Sequence, residues 1–453
     1  MTNKARHLDR RTQMLETPVN RLIPKLAIPT IISMLVTSIY NMADTFFVSQ
    51  LGTSATGAVG IVFSVMTFIQ AISFTLGMGS GNQIAIALGN QEEEHAGKLA
   101  ATAFYTAFGI GIVFLLFGNL FAEELVVFLG STITIAPFAV DYARYILLAA
   151  PFMMSSLVMN NLLRSQGNAI YAMAGITIGG ILNMALDPIF IFGLGMGISG
   201  AGLATMISQM TSFGILLYQC NARVKNISIK RKNFKPTLKQ YASILYVGAP
   251  SFCRQGLYSV ANILLNYVAA PYGDAAIAAL AIVSRIMMFI NSALIGFGQG
   301  FQPVCGYNYG AKRNDRVLES FWFCVKVGTI TLTLLGIVGL LAGEDVIAIF
   351  RKDDAEVIRI GVMALRYQLI MLPFQAWITM ANMLSQSIGY GFRASLIAMS
   401  RQGLFYIPCV LTLPLVYGES GLYYIQPVAD VFTMILVTIL SFGIIKELKQ
   451  QTK

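Results

Sequence analysis

The chain has 453 residues, of which 56% are hydrophobic and 11% charged, and its net charge is +10. A soluble domain is typically about 25% charged, so this composition excludes an ordinary soluble protein. Long apolar runs without the alternation of barrel strands predict membrane-spanning α-helices of roughly 20 residues each. The five cysteines have no paired spacing and the two histidines lie in polar segments, so we expect no disulfide framework and no metal site.

The apolar segments predict twelve spans in chain order. They cover residues 24–48, 57–82, 98–121, 135–158, 169–192, 199–219, 242–268, 275–301, 317–341, 357–380, 393–416 and 421–445. The first 23 residues are polar and basic, so we expect no cleaved signal peptide. The predicted domains are an amino-terminal segment (1–23), a first lobe (24–220), a basic linker (221–240), a second lobe (241–445) and a tail (446–453).

Basic residues concentrate in alternate loops. Six lie between positions 4 and 25 and seven between 223 and 239, whereas the intervening loops are nearly bare, apart from Arg351 and Lys352. By the positive-inside rule, this asymmetry places both termini in the cytoplasm. We therefore expect a multi-pass protein of a bacterial inner membrane, surrounded by lipid, and no nucleic-acid partner.

The two halves of the chain repeat at an offset of about 221 residues. The matching pairs include Pro29–Pro250, Asn41–Asn262, Gly79–Gly300, Gly89–Gly310 and, one residue further out of step, Asn160–Asn382. Six spans per half give both halves the same orientation, as in transporters with parallel repeats. The predicted fold is an all-α membrane protein, with two pseudo-symmetric six-helix bundles around a central cleft.

A polar stripe runs along the first span. Thr37, Tyr40, Asn41 and Asp44 follow the i, i+3, i+4, i+7 spacing that places side chains on one face of a helix. An aspartate inside a span costs roughly 2.5–3.5 kcal/mol on insertion, so such residues are usually functional. A helix-end cap or a pairing with a nearby arginine is the alternative role for Asp44, and also for Asp187 of the fifth span.

A second carboxylate lies in the fifth span. Asn183 and Asp187 are i, i+4 neighbours, Pro188 interrupts the helical hydrogen bonding, and Thr205 follows on the sixth span. If the two stripes face each other, Asp44 and Asp187 cannot easily both be ionised in a low-dielectric cavity. We therefore expect the pair to bind and release a proton.

The second half does not repeat these carboxylates. Leu265 stands in place of Asp44, and Cys409 in place of Asp187. Its charges within spans include Arg254, Arg285, Arg401 and Asp430, and the aspartate is a candidate to offset one arginine. Ion handling is therefore expected in the first lobe.

Several motifs resemble the multidrug and toxic compound extrusion (MATE) family over essentially the whole chain. They read AIP at 27–29, YNMAD at 40–44, RSQGN at 164–168, NMALDPIFIFG at 183–193 and GAGLAT at 200–205. The resemblance implies a secondary active antiporter, without cofactor, that exchanges small organic cations or drugs for protons or sodium. It also implies that the first helix bends at Pro29, and Pro188 is a second candidate hinge.

The resemblance further implies which residues handle the coupling ion. The matching positions are Asp44, Asn183, Asp187, Thr205, Tyr142 and Asn160. Second-lobe acidic residues, expected in the seventh and tenth spans of the sodium-coupled branch, are not found there, which favours protons and leaves sodium possible. Candidate cavity walls for a cationic cargo, from aromatic and adaptable side chains, are Tyr40, Asn41, Met34, Phe63, Phe68, Met288 and Phe289.

Two other classes of membrane protein are alternatives to a MATE-like antiporter. A lipid-linked saccharide flippase of the same superfamily would need a cationic cavity, for which Arg254, Arg285 and Arg401 are available. An intramembrane aspartyl protease would need its Gly-x-Gly-Asp context, which neither Asp44 nor Asp187 has. We therefore predict no catalytic residues and a monomeric transporter rather than an enzyme.

Overall fold

The computed structural model of the protein describes residues 3–223, 229–350 and 354–451. Part of the predicted linker, including Lys225, and both Arg351 and Lys352 lie outside them. The helices are α1 (Asn3–Glu16), α2 (Val19–Ser49), α3 (Thr53–Gly89), α4 (Glu93–Leu120), α5 (Ala122–Phe128), α6 (Ala136–Ser165), α7 (Ala169–Pro188), α8 (Ile198–Tyr218), α9 (Leu238–Ala269), α10 (Asp274–Gly310), α11 (Asn314–Leu341), α12 (Gly343–Phe350), α13 (Ala355–Ser387), α14 (Gly391–Met399), α15 (Tyr406–Tyr417) and α16 (Glu419–Gln450). Within the described ranges no strand occurs.

Eleven segments of the described chain are long and apolar enough to cross a membrane, α14 and α15 forming one of them. The more polar α9, of 32 residues, occupies in the second half the place of α2 and completes the twelve predicted spans. Several helices are longer than predicted. The 37 residues of α3, for example, extend about 55 Å, well beyond the roughly 30 Å of a bilayer core.

The internal repeat is visible in the backbone and in side-chain contacts. The amide of Asn160 donates to the carbonyl oxygen of the residue twelve positions later at 2.9 Å, and Asn382 makes the same bond at 2.7 Å. The turns that follow α3 and α10 contain the left-handed residues Gln91 and Lys312, with φ of 67° and 58°. Two pseudo-symmetric lobes, α2–α8 and α9–α16, therefore share one scaffold.

The lobes touch mainly at one end of the molecule. We call this end the basic face; it comprises α1, the carboxyl-terminal end of α16 and loops 90–92, 166–168, 311–313 and 388–390. There, a Cβ on Gly89 would overlap the Tyr307 carbonyl oxygen, and a Cβ on Gly310 would overlap that of Ile86. In the same halves of α3 and α10, every residue of 75–82 and 298–308 is buried. The central cleft therefore opens towards the opposite face.

The amino-terminal helix α1 spans the basic face and contacts both lobes. Arg10 Nη2 donates to Asn168 Oδ1 of the first lobe at 2.6 Å, and Asn308 Nδ2 of the second lobe donates to the Met14 carbonyl oxygen at 3.3 Å. Met14 of α1 is completely buried. The segment that hydropathy marks only as polar thus helps to hold the lobes together.

Candidate functional site

The first carboxylate of the site lies on α2. Asp44 is half-buried, and its Oδ2 accepts a hydrogen bond of 3.2 Å from the hydroxyl of Tyr142, a fully buried residue of α6. The other oxygen, Oδ1, is buried without a hydrogen-bond partner. Asp44 therefore does not cap a helix end or pair with an arginine; its side chain points to α6.

The second carboxylate lies at the end of α7. Asp187 has no exposed surface, and its Oδ1 accepts from Asn183 Nδ2 at 3.4 Å. The same nitrogen donates to Thr205 Oγ1 of α8 at 3.3 Å. Directly after Asp187, Pro188 ends the regular helix and a π-helical turn follows at Ile189–Gly193, as expected where a proline removes a backbone donor.

The two carboxylates belong to one group of side chains. Tyr142 interacts with both of them and with Thr205, and Asp44 and Asp187 interact with each other electrostatically. We call Asp44, Tyr142, Asn183, Asp187 and Thr205 the acid cluster. The structure thus brings together five of the six residues predicted to handle the coupling ion.

No basic side chain of the described residues neutralises the acid cluster. Among the described residues no lysine or arginine forms an ion pair with Asp44 or Asp187. The oxygens Asp187 Oδ2 and Asn183 Oδ1 are buried without partners, as is Asp44 Oδ1. Because buried unpaired carboxylates are strongly unfavourable, the arrangement is suited to taking up a proton or a small metal cation.

The remaining predicted ion-handling residue, Asn160, is placed differently. Its amide links α6 to the Ala172 carbonyl of α7, the same scaffold bond that Asn382 makes in the other lobe. The structure shows no hydrogen bond between its amide and the acid cluster. A coupling role for Asn160 stays a prediction.

The first candidate hinge lies within the contact between lobes. α2 is one continuous helix through Pro29. On either side, Gly300 of α10 packs on Ala27 and Gly296 packs on Ile31 so closely that a Cβ would overlap the α2 backbone. A bend at Pro29 would therefore change how α2 lies against the second lobe.

The predicted cavity residues of α2 divide between two faces. Tyr40 is buried, packs at Gly180 of α7 and interacts with Asp44, so it extends the acid cluster. The face towards the second lobe carries Ser38, whose hydroxyl lies 2.9 Å from that of Ser292 on α10. Met34 is one turn from Ser38 and Met288 is one turn from Ser292, so these two residues lie on facing sides of the lobe interface. Asn41 is half-buried and lies between this face of α2 and the side that contains Asp44.

The predicted phenylalanines lie further from the acid cluster. Phe68 makes edge-to-face contacts with Phe114 of α4 and Phe252 of α9, both at 6.2 Å between ring centroids. It lies next to an apolar groove of about 400 Å³ between α3, α4 and α9, which Phe252 helps to line. Phe63 and Phe289 are exposed on α3 and α10.

The second lobe contains a compensated carboxylate. Asp430 of α16 is buried, and its Oδ1 lies 3.0 Å from Nε of Arg401. Gln426 donates to the same carboxylate at 2.8 Å. The expectation that Asp430 offsets one of the arginines is therefore confirmed. Arg254 is half-buried and Arg285 is exposed.

One buried residue was placed wrongly by the predicted span boundaries. The fourth span was predicted to end at 158, but α6 continues to Ser165 and buries Arg164 near its end. Polar residues at the last turns of α6 lowered the local hydropathy and hid the helix. A charged residue so close to the end of an apolar run was the sequence signal that could have indicated a buried arginine.

Comparisons with known proteins agree with this architecture. A sequence profile of the MatE family matches residues 29–189 and 250–411, one match in each lobe. The multidrug export protein MepA of Staphylococcus aureus (strain NCTC 8325 / PS 47) is 24% identical over 428 residues, which cover 92% of both chains.

Two solved structures extend the comparison. An outward-facing multidrug resistance MATE family transporter of the MOP superfamily aligns with a TM-score of 0.91 and 26% identity, over 97% of this chain and 98% of that one. A MOP superfamily transporter from Pyrococcus furiosus, described by a binding pocket of reverse polarity that suggests a different function, aligns with a TM-score of 0.89 and 26% identity, again over 97% and 98%.

Proposed function

This chain belongs to the MatE family of multidrug efflux transporters, and from that premise we propose that it exports organic cations in exchange for protons. The observation that carries the proposal is the acid cluster, in which the half-buried Asp44 interacts with the fully buried Asp187 and neither carboxylate has a cationic partner among the described residues. Protons and a cationic cargo would neutralise the same charges. Binding of one therefore favours release of the other, which is a reciprocal coupling between two ligands.

The distribution of basic residues gives the proposed exchange a direction. If the basic face lies in the cytoplasm, as the positive-inside rule requires, both termini are cytoplasmic and the cleft opens outwards. Asp44, which is half-buried, is then the first carboxylate that external protons reach, and the fully buried Asp187 is the second. We place the protein as a monomer in a bacterial inner membrane, where an inward proton gradient is available.

Sodium is the second coupling ion that the site supports. Asp187 Oδ2 and Asn183 Oδ1 are unpartnered oxygens beside the Thr205 hydroxyl, and hard cations prefer oxygen ligands. The lipid-linked saccharide flippase is less well supported. Its anionic cargo would require several uncompensated arginines, whereas of the three candidates Arg401 is paired with Asp430, which leaves Arg254 and Arg285 for this role.

The test is ethidium efflux from proteoliposomes that contain the full-length protein. A pH gradient alone, a sodium gradient alone and both together are imposed, with protein-free liposomes as the control for leak. We expect the pH gradient alone to drive efflux. Efflux that requires a sodium gradient would show that sodium, and not the proton, is the coupling ion. No efflux under either gradient would overturn the proposed cation export.

A further inference from the structure

Arg164 is a buried cation surrounded by neutral groups. Its side chain donates to Gln299 of the second lobe and to Asn161, and lies 3.5 Å from the Met78 sulfur. Only 4% of the residue is exposed. In the part of the chain that the structure describes, no carboxylate lies within ion-pair distance of Arg164. Leaving a buried charge without an opposite charge is strongly unfavourable.

The duplicated scaffold has a neutral side chain at the position that matches Arg164. At the offset of 222 residues, Arg164 corresponds to Gln386 in the second lobe. Gln386 is a neutral amide with partners inside its own lobe, donating to the Val247 carbonyl oxygen at 3.0 Å and to the Ser251 hydroxyl at 3.2 Å. Because a neutral side chain fits this position in one lobe, the charge in the other lobe requires a separate explanation.

A small cavity lies beside the guanidinium group. It has a volume of about 10 Å³ and is lined by residues of α3, α6 and α10, so both lobes contribute to it. That volume is room for one water-sized guest, and the flexible Met78 side chain in its wall can adjust to a slightly larger one.

Two polar groups that line the cavity are hydrogen-bond donors, the guanidinium group of Arg164 and the side-chain amide of Asn82. Asn82, which is 5% exposed, lines the cavity, and its Nδ2 is buried without a partner. The carbonyl oxygens of the Asn161 and Gln299 side chains already accept from Arg164. A guest therefore meets a fixed positive charge and a free N–H donor.

We propose that this cavity binds one small inorganic anion, chloride being the available species, between Arg164 and Asn82. The site lies where α3 and α6 meet α10, so it is complete only while the lobes are closed at the basic face. A ligand that binds one state only stabilises that state by mass action. The bound anion thus favours the closed basic face, independently of the coupling ion and the cargo.

The test measures thermal unfolding of the full-length protein in detergent by circular dichroism. Sodium chloride, sodium bromide and sodium gluconate are compared at equal ionic strength. We expect a higher Tm in chloride and bromide, with a rise that saturates as the halide concentration increases. Crystals grown in bromide are expected to show an anomalous peak in the cavity.

Three variants separate the site from general salt effects. Arg164→Gln copies the neutral residue of the other lobe and is expected to lose the halide-dependent rise. Asn82→Asp supplies a carboxylate next to Arg164 and is expected to fold and to lose the rise as well, which keeps the test decisive if Arg164→Gln does not fold. Arg393→Gln, at a partly exposed arginine, is expected to keep it.

The proposal is overturned by any of three results. They are an equal Tm of the unmodified protein in all three salts, a halide response that persists in Arg164→Gln or in Asn82→Asp, and a cavity that contains water without an anomalous bromide peak.

Discussion

Replacing Asp187 with asparagine is expected to abolish ion-coupled efflux while leaving the fold intact. Asparagine has the same shape, and its Oδ1 can still accept the 3.4 Å hydrogen bond from Asn183. Weakening that bond from a charged to a neutral acceptor costs about 1 kcal/mol. In the state in which Asp187 is ionised, the substitution also removes a fully buried charge that has no cationic partner among the described residues, and such a charge costs several kcal/mol in desolvation. The Tm should therefore stay equal or rise.

The rate of coupled transport, unlike the Tm, should fall in Asp187→Asn. Without an ionisable group at position 187, the acid cluster has one carboxylate left and cannot exchange two cationic ligands through a shared charge. In proteoliposomes with an imposed pH gradient, the rate of ethidium efflux should fall to that of protein-free liposomes. Asp141→Asn, the same substitution at an exposed carboxylate of α6, is the matched control and should leave both Tm and efflux unchanged.

Normal efflux by Asp187→Asn would contradict the proposed role of Asp187. If Asp187→Asn expresses normally and exports ethidium at the rate of the unmodified protein, Asp187 does not take part in coupling. The unpartnered oxygens of the acid cluster would then require another explanation.

Three further perturbations test the contacts between and within the lobes. Gly89→Ala should lower stability by about 1–3 kcal/mol through overpacking against the other lobe, which is measured as a lower Tm. Gly60→Ala is the control, because a Cβ at Gly60 meets open space, and it should not lower the Tm. Equal Tm values for the two variants would contradict close packing at Gly89. Arg401→Gln should destabilise the protein by about 3–5 kcal/mol, because it leaves the buried Asp430 without its ion-pair partner. Adding Asp430→Asn should restore most of the lost Tm. A double variant that is no more stable than Arg401→Gln alone would refute the pairing. Removal of residues 1–17 should increase amide hydrogen exchange at the basic-face ends of α3 and α10, and unchanged protection would show that α1 does not hold the lobes together.

Most of the fold could be predicted from the sequence because hydropathy and an internal repeat are both read along the chain. The number of spans and the division into lobes follow from apolar length and from one offset of about 221 residues. Helix ends were less predictable. Spans extend into the polar interfaces, where residues such as those at the end of α6 resemble loops in composition. Arg164 was consequently placed after its span rather than inside it.

The acid cluster was only partly predictable. Helical spacing identified the stripe that contains Asp44 and the pair Asn183 and Asp187, because those relations are local. Tyr142 depends on how α6 packs against α2, so only the family resemblance pointed to it. The contact between Ser38 and Ser292 depends on the relative placement of two lobes, for which the sequence of either helix contains no signal.

The comparison of the lobes explains why a duplicated scaffold can support an exchange of ions. Scaffold contacts such as the Asn160 and Asn382 amide bonds are present in both lobes, so each lobe can behave as a comparable rigid unit. The charges are not duplicated. In the second lobe Asp430 has a permanent partner in Arg401, whereas Asp44 and Asp187 have none among the described residues. Under the proposed mechanism, the arrival of a cation therefore changes the net charge inside one lobe only. An ion shifts a conformational equilibrium only if it binds the two states differently. The proposed mechanism therefore requires that a bend at Pro29 or Pro188 changes the affinity of the acid cluster for its ion.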